Sequence, residues 1–334
     1  MDQVGTDLPA TVRFAPRRVA HGNFFVSDLA RSSRFYSEVC GLTLVYREPG
    51  IHADFFSNGS SHHDAALMET SRQARVGRGG HVQVPVGRGV EPGLNHVGFE
   101  MEDEATLVAA YQRAKAAKVP IHRTADHQIS HSVYLFDPEG NYLEMYADAS
   151  DDWRSVYIAN ENELLTGVWD PDAGSPSSRP RYDPDPTYQV VPSALVHPKR
   201  TSHIALWARE LGRLRAFYEN IVGLTVVADD ASGRFVIMGG TLGGSDLGLF
   251  QSESPERRGM HHFGFELADD AEFDQAAERL SSQGVALLSR VESPWKRSMA
   301  LADPDNLVLE FFVKRQTLSQ SIAPESGLLA PFTL

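Results

Sequence analysis

The chain has 334 residues, is 42% hydrophobic, and carries a formal net charge of -13. That length supports two domains better than one, and the acidic balance, with no compensating basic tract, argues against broad binding to nucleic acid or an anionic membrane. The single cysteine excludes an internal disulfide, and Cys40, in EVCGL, reads as a small core residue at an apolar helix end.

The first residues, MDQVGTDLPATVRF, lack the basic start and apolar run of an export signal. No later stretch reaches the roughly 20 apolar residues that span a bilayer, so a soluble cytoplasmic protein is expected. From His21 the segment HGNFFVSDLARSSRFYSEVCGLTLV reads as an apolar strand, then a helix carrying Phe35-Tyr36, then Gly41-Leu42 before another strand. The same order returns from His203 in HIALWARELGRLRAFYENIVGLTVV, with Phe217-Tyr218 and Gly223-Leu224, and Asp64 and Asp246 keep the same offset.

A second pair of segments repeats as well, GLNHVGFEMEDEATLVAAYQRAKAAKVPI and GMHHFGFELADDAEFDQAAERLSSQGVAL. Here His96 pairs with His262 and Glu144 with Glu310, at a shorter offset. The difference places extra residues between Asp64 and His96, in SRQARVGRGGHVQVPVGRG, expected as a long loop or added hairpin that is either a plain surface insertion or a lid. LVAAYQRAKAAKV has an apolar stripe and a Lys/Arg face, as expected of a helix that buries one side. HADFF, DAALM, HSVYLF and NYLEMY alternate as half-buried antiparallel strands do, with turns at Asp-Pro-Glu-Gly and Asp-Pro-Asp.

The pattern predicts an α+β fold of four βαβββ units, about 18–70, 92–148, 200–251 and 258–314, paired into two domains. The first domain is expected over 18–148 and the second over 200–314. Between them, 149–199 opens with a short helix in WRSVYIANENELLTG packed on domain one, then becomes a proline-rich extended linker. Residues 315–334 read as a closing tail.

His21 and His96 begin equivalent strands, and Glu144 lies on the last strand of the second unit. If the two units close around one cavity, two imidazoles and a carboxylate converge and leave several positions open on a divalent metal, iron(II) above all. A structural zinc site would prefer four protein ligands, commonly cysteine. His203, His262 and Glu310 form the corresponding set for a second metal. On spacing alone, ordinary hydrogen-bonded core histidines remain the competing reading. The surroundings of the two sets differ: His63 is replaced by Ser245 and Tyr134 by Ala300.

The segments VAHGNFFVSDLARSSRFYSEVCGL, SSHHDAALM, GLNHVGFE and DHQISHSVYLFDPEGNYLEMY resemble the vicinal-oxygen-chelate superfamily, in particular the two-domain type I extradiol catechol dioxygenases. The resemblance covers nearly all of 18–148 and 200–314. It implies two vicinal-oxygen-chelate domains and places His21, His96 and Glu144 at the ligands of Fe(II), for which Mn(II) is the alternative ion. It further implies that His63 is the acid–base histidine, that Tyr134 is the pocket tyrosine beside the substrate hydroxyl, and that His127 is a third polar pocket residue. The implied partners are a catechol-type molecule and molecular oxygen, in aromatic catabolism. One departure stands out: many type I enzymes keep the metal in the C-terminal domain, whereas here the fuller set is N-terminal.

His62 is expected to face solvent, opposite His63, and Tyr146 to share the strand face of Glu144. A homo-oligomer suits paired β-sheets, although no motif sets its symmetry. Two competing functions remain open. A glyoxalase-like metal-dependent isomerase would add Glu69 to His21, His96 and Glu144, and a non-catalytic resistance-type protein would sequester an aromatic ligand.

Overall fold

The computed structural model describes residues 12–76, 82–161, 166–230, 233–254 and 257–316. The expected C-terminal tail therefore lies outside the described residues except for Arg315 and Gln316, as do residues 77–81 of the insertion.

The first eight-stranded sheet is built from β1 (Arg18–Val26), β2 (Leu44–Glu48), β3 (Ala53–Phe56), β4 (Ala65–Glu69), β7 (Gly93–Glu100), β8 (Arg123–Asp126), β9 (Ser130–Phe136) and β10 (Tyr142–Asp148). The insertion supplies the separate hairpin β5 (Arg75–Val76) and β6 (Val82–Val84). Strand order in the large sheet is β2-β3-β4-β1-β7-β10-β9-β8. The two units of the domain thus meet at the antiparallel β1–β7 seam.

The second domain repeats that order with β11 (Pro198–Ala208), β12 (Thr225–Asp229), β13 (Phe235–Gly239), β14 (Leu247–Gln251), β15 (Gly259–Leu267), β16 (Ser289–Glu292), β17 (Lys296–Ala302) and β18 (Val308–Lys314). The four alternating segments pair antiparallel as expected, β3 with β4 and β9 with β10, within sheets that are mixed. β1 runs parallel to β4 and β10 parallel to β7. All nine residues of β1 are buried, and Asn23 among them lines a cavity.

Each unit's helix is shaped by local sequence. α1 (Leu29–Arg34) starts on the Asp28 side chain, which accepts from Arg31 N, and continues into a π-helical turn, Phe35–Val39. Gly41 follows with φ 71°, a left-handed exit that glycine takes without strain, and Gly223 does the same at φ 88° after α4 (Leu211–Phe217) and its π-helical turn. α2 (Glu104–Ala116) and α5 (Asp270–Ser282) are capped by Asp103 and Asp269; α2 buries Leu107, Ala110 and Ala114, and α5 buries Phe273, Ala276 and Leu280.

These helix faces and both sheets share a single apolar cluster, in which Phe24 of one domain meets Phe263 of the other edge to face. The Tyr of each Phe-Tyr repeat reaches across the domain boundary: Tyr36 donates to Asp303 (3.3 Å) and Tyr218 to Asp137 (3.1 Å). The repeated aspartates do likewise, with Asp246 accepting from Val19 N and Asp64 from Thr201 N.

After β10, α3 (Trp153–Ala159) stacks Tyr157 on Tyr46 of β2, as a helix packed on domain one. The following segment runs over that domain: Gly167 pairs with Asp126, and Trp169 stacks on His131. No helix among the described residues is long and apolar enough to cross a membrane.

Candidate metal centre

The register at the β1–β7–β10 junction decides which side chains meet. Gly98 lies opposite His21 on one side and opposite Glu144 on the other. A Cβ at Gly98 would stand 2.1 Å from the His21 ring, so the glycine is the space that the imidazole occupies. His96 enters from β7, two residues earlier. His21 Nε2 lies 2.8 Å and His96 Nε2 3.1 Å from the same oxygen, Glu144 Oε2. The three ligand atoms lie within 4.8 Å of one another, and all three residues are buried.

The other carboxylate oxygen is spoken for. Glu144 Oε1 accepts from Ser132 Oγ and Tyr134 OH, each at 2.6 Å. Burial pushes the Glu144 carboxyl up, but the hydrogen bonds and charges of His21 and His96 more than offset it and hold it well below the usual range. Burial pushes the His21 imidazole down to about 4 against the pull of Glu144, and lowers His96 as well. His96 Nδ1 faces the Asn95 side-chain oxygen at 3.4 Å, an acceptor that favours a proton on Nδ1 and a free lone pair on Nε2. Two neutral imidazoles and one carboxylate fit a divalent ion, with His96 Nδ1 and Glu144 Oε1 directed by hydrogen bonds and His21 Nδ1 left without a partner.

His96 and Glu144 of this set line a cavity of about 730 Å³, with His21 buried behind them. Tyr134 OH also lies 2.9 Å from His127 Nε2, and His127 Nδ1 meets Thr166 Oγ1 at 2.9 Å. Burial first, then the Glu144 charge, raises the Tyr134 phenol well above its ordinary value, while burial pushes His127 down to about 3. His63 stands with its ring centroid 4.0 Å from that of His21, and neither of its ring nitrogens has a protein partner. Burial, reinforced by the neighbouring histidines, holds it well below the ordinary histidine value, hence neutral.

In the second domain His203, His262 and Glu310 converge in the same way, with His203 Nε2 at 3.0 Å and His262 Nε2 at 3.5 Å from Glu310 Oε2. Gly264 leaves room for His203 as Gly98 does for His21. Glu310 Oε1, however, takes the fully buried Lys296 ammonium at 2.6 Å. Burial lowers that ammonium from its ordinary value, against the pull of Glu310; Glu310 is raised by burial, but Lys296 and the histidines hold it well below the usual range.

The sequence profile of the Glyoxalase/Bleomycin resistance protein/Dioxygenase superfamily matches residues 18–145 and 200–311, most of the chain. The chain belongs to this superfamily. Within it, the chain is 24% identical over 277 residues to a catechol-2,3-dioxygenase of Bacillus subtilis (strain 168), covering 80% of this chain and 89% of that one. Among solved structures it is similar to the 2,3-dioxygenase LapB from Pseudomonas sp. KL28, at TM-score 0.64 and 16% identity over 92% of this chain and 98% of that one. It is equally similar to the Mn(II)-bound glyoxalase from Novosphingobium aromaticivorans, at TM-score 0.63 and 13% identity over 93% and 89% of the two chains. Such likenesses establish a superfamily fold that serves more than one chemistry, so function must be argued from the cavity.

Two expectations are corrected there. His62 does not face solvent: it is buried, lines the cavity and binds Asp148 through Nδ1 at 3.2 Å. Residues 62 and 63 precede β4, so strand parity does not govern them, and both rings turn inward. His21, His62 and His63 even form a further group with ligand atoms within 4.8 Å, but it brings no carboxylate to a dication. Glu69 does not join the other ligands. It sits at the far end of β4, accepts from Leu29 N at 3.2 Å and faces His52 over a different cavity.

Tyr146 does share the side of Glu144, with its ring 5.2 Å from His21. Several cavity residues were not foreseen. Arg123 packs on the Tyr134 ring and Arg88 on Tyr142, while Thr166 and Tyr157 enter from the segment after β10. Arg88 and Val84 come from the insertion, which is therefore part of the cavity wall.

Proposed function

We propose that the protein is an extradiol ring-cleaving dioxygenase, inserting both atoms of molecular oxygen into a catechol-type substrate at non-haem iron(II) held by His21, His96 and Glu144. One observation carries this reading: an open two-histidine, one-carboxylate face shares a cavity with an unpartnered neutral His63 and with the Tyr134–His127 pair. The likeness to a catechol-2,3-dioxygenase over most of both chains supports it. Bound there, iron(II) supplies open positions for the catechol oxygens and for molecular oxygen and a path for electrons between them; Mn(II) suits the same donors.

The surrounding residues handle protons. Tyr134, whose phenol is raised well above its ordinary value, keeps its proton on Glu144 Oε1 and offers its oxygen as acceptor to a substrate hydroxyl. His127, itself oriented by Thr166, fixes the direction of that phenol. His63 has two unspent ring nitrogens, so it accepts a proton released by the catechol and returns it as the ring opens. Cleavage beside the two hydroxyl-bearing carbons gives a muconic semialdehyde-type product that carries both oxygen atoms.

The isomerase alternative loses its fourth ligand, because Glu69 lies in another cavity. A purely sequestering protein would have no use for a buried histidine with both nitrogens unpaired. The test is anaerobic loading with iron(II), metal analysis, then a panel of catechols followed by oxygen. Stoichiometric oxygen uptake with a new semialdehyde absorbance is expected. Iron-loaded protein that binds catechols without consuming oxygen would overturn the assignment.

A further inference from the structure

The two His–His–Glu clusters match at their histidines and differ in what closes the carboxylate. In domain one, Oε1 of Glu144 accepts from two neutral hydroxyls, Ser132 and Tyr134, so the cluster keeps the carboxylate's full negative charge for a bound cation. In domain two, Ala300 stands at the repeat position of Tyr134 and pairs with Glu310 across β17 and β18. Lys296, at the repeat position of Ser130, lies fully buried with its Nζ on Glu310 Oε1. Ser298, at the position of Ser132, has its buried hydroxyl without a partner, because the ammonium has replaced both hydroxyl donors.

The histidines are set differently as well. His96 Nδ1 faces an amide oxygen, which favours a free lone pair on Nε2. Its repeat-mate His262 has Nδ1 against another imidazole, His261, at 2.7 Å, and its Nε2 against His203 Nε2 at 3.2 Å. Both ring nitrogens of His262 thus meet neighbouring imidazoles, with Glu310 Oε2 3.5 Å from Nε2, a different setting from that of His96.

We propose that the second cluster is not a metal site: the Lys296 ammonium supplies the positive charge that a cation would otherwise bring to Glu310. The cluster is already neutral overall, and a dication entering it would face a buried ammonium on the same carboxylate, at low dielectric, where charge repulsion is poorly screened. With Lys296, the three retained side chains serve there as a charge-balanced buried core, in which Glu310 Oε1 carries the ammonium and Oε2 faces the histidines. This inference is independent of which ion or reaction domain one supports.

The test compares metal content after anaerobic loading with iron(II) or manganese(II), followed by desalting, for the parent chain and the variants Glu144→Gln, Lys296→Met, and Lys296→Met with Glu144→Gln. About one ion per chain is expected for the parent, none for Glu144→Gln, a second ion for Lys296→Met, and about one again for the double variant. Lys296→Met with Glu310→Gln, which restores neutrality, should stay folded and bind only the domain-one ion. Two ions on the parent, or an ion retained at His203, His262 and Glu310 in Glu144→Gln, would overturn the proposal. So would a folded Lys296→Met chain that gains no ion. A parent chain with no ion, alongside a Lys296→Met chain that gains one, would sink the domain-one reading and leave this one standing.

Discussion

The Tyr134 hydroxyl lies 2.6 Å from Oε1 of Glu144, the oxygen turned away from His21 and His96. That position lets a single phenol steady the carboxylate and still present itself to a substrate oxygen in the cavity. Replacing Tyr134 with Phe leaves Ser132 on the same oxygen, so metal content should change little. Turnover should fall by roughly 10²-fold, the usual range for losing a positioned proton-handling group. Metal analysis beside oxygen-electrode rates checks both halves, and unaltered turnover would make Tyr134 a packing residue.

Gly98 links His21 and Glu144 by register, and a Cβ there would collide with the His21 ring. Gly98→Ala should therefore push His21 out of the cluster, cost roughly 1–3 kcal/mol through overpacking, and strip the metal. Gly264→Ala makes the same collision with His203. It should cost a similar stability and leave metal content at the parental level, since that cluster holds none. Denaturant midpoints and metal analysis on the two variants distinguish the sites.

Tyr36 and Asp303 tie domain one to domain two, mirrored by Tyr218 and Asp137. Tyr36→Phe removes a buried donor and should cost about 1 kcal/mol, as an intramolecular hydrogen bond does. Combined with Asp303→Asn it should show a coupling of at least about 0.5 kcal/mol in a double-mutant cycle. Additive losses would mean that the pair contributes only through packing.

Much of the architecture is legible because the chain states it twice. His21, His96 and Glu144 stand out for the same reason, since each recurs on an equivalent strand, and the turn residue His63 stands out against Ser245. What stayed hidden has no copy to compare. Arg88 lies in an insertion, Thr166 and Tyr157 in the segment after β10, and their approach to the cavity depends on how those segments cross the sheet. Lys296 in SPWKRSM has no local pattern that marks it as buried; its place is set by Glu310 on the neighbouring strand. His62 was misplaced because alternation was extended into a turn.

Acid should destabilise the metal-free protein. Burial holds His21 at about 4 and His127 at about 3, whereas an unfolded histidine titrates near 6.5. Between those values the unfolded chain binds protons that the folded chain refuses, so stability is full above about pH 6.5 and is lost as the pH falls toward 4. Glu144, held well below the ordinary carboxylate range, acts in the same sense: its contribution is present above about pH 4.3 and disappears below it. Urea midpoints of metal-free protein should therefore be flat from pH 8 to about 6.5 and decline steadily below. Equal stability at pH 5 and pH 7.5 would show that these histidines are solvated.

His63 provides the sharpest separation between holding a metal and moving a proton. Its ring stands beside His21, yet the carboxylate that would complete a site for a dication turns its free oxygen to His21 and His96. His63→Ala should therefore keep iron and bind catechols as the parent does, whereas His21→Ala, His96→Ala and Glu144→Gln should lose the metal. With no ring nitrogen left to carry a proton, the step after oxygen arrives should slow by about 10²-fold. Single-turnover experiments on anaerobic iron–catechol complexes mixed with oxygen read that step directly, apart from substrate binding and product release. Parental ring-opening rates would remove His63 from proton transfer. Loss of iron in parallel with the His21 variant would move His63 into the ligand set, alongside His21 and His62, and the cluster with Glu144 would have to be redrawn.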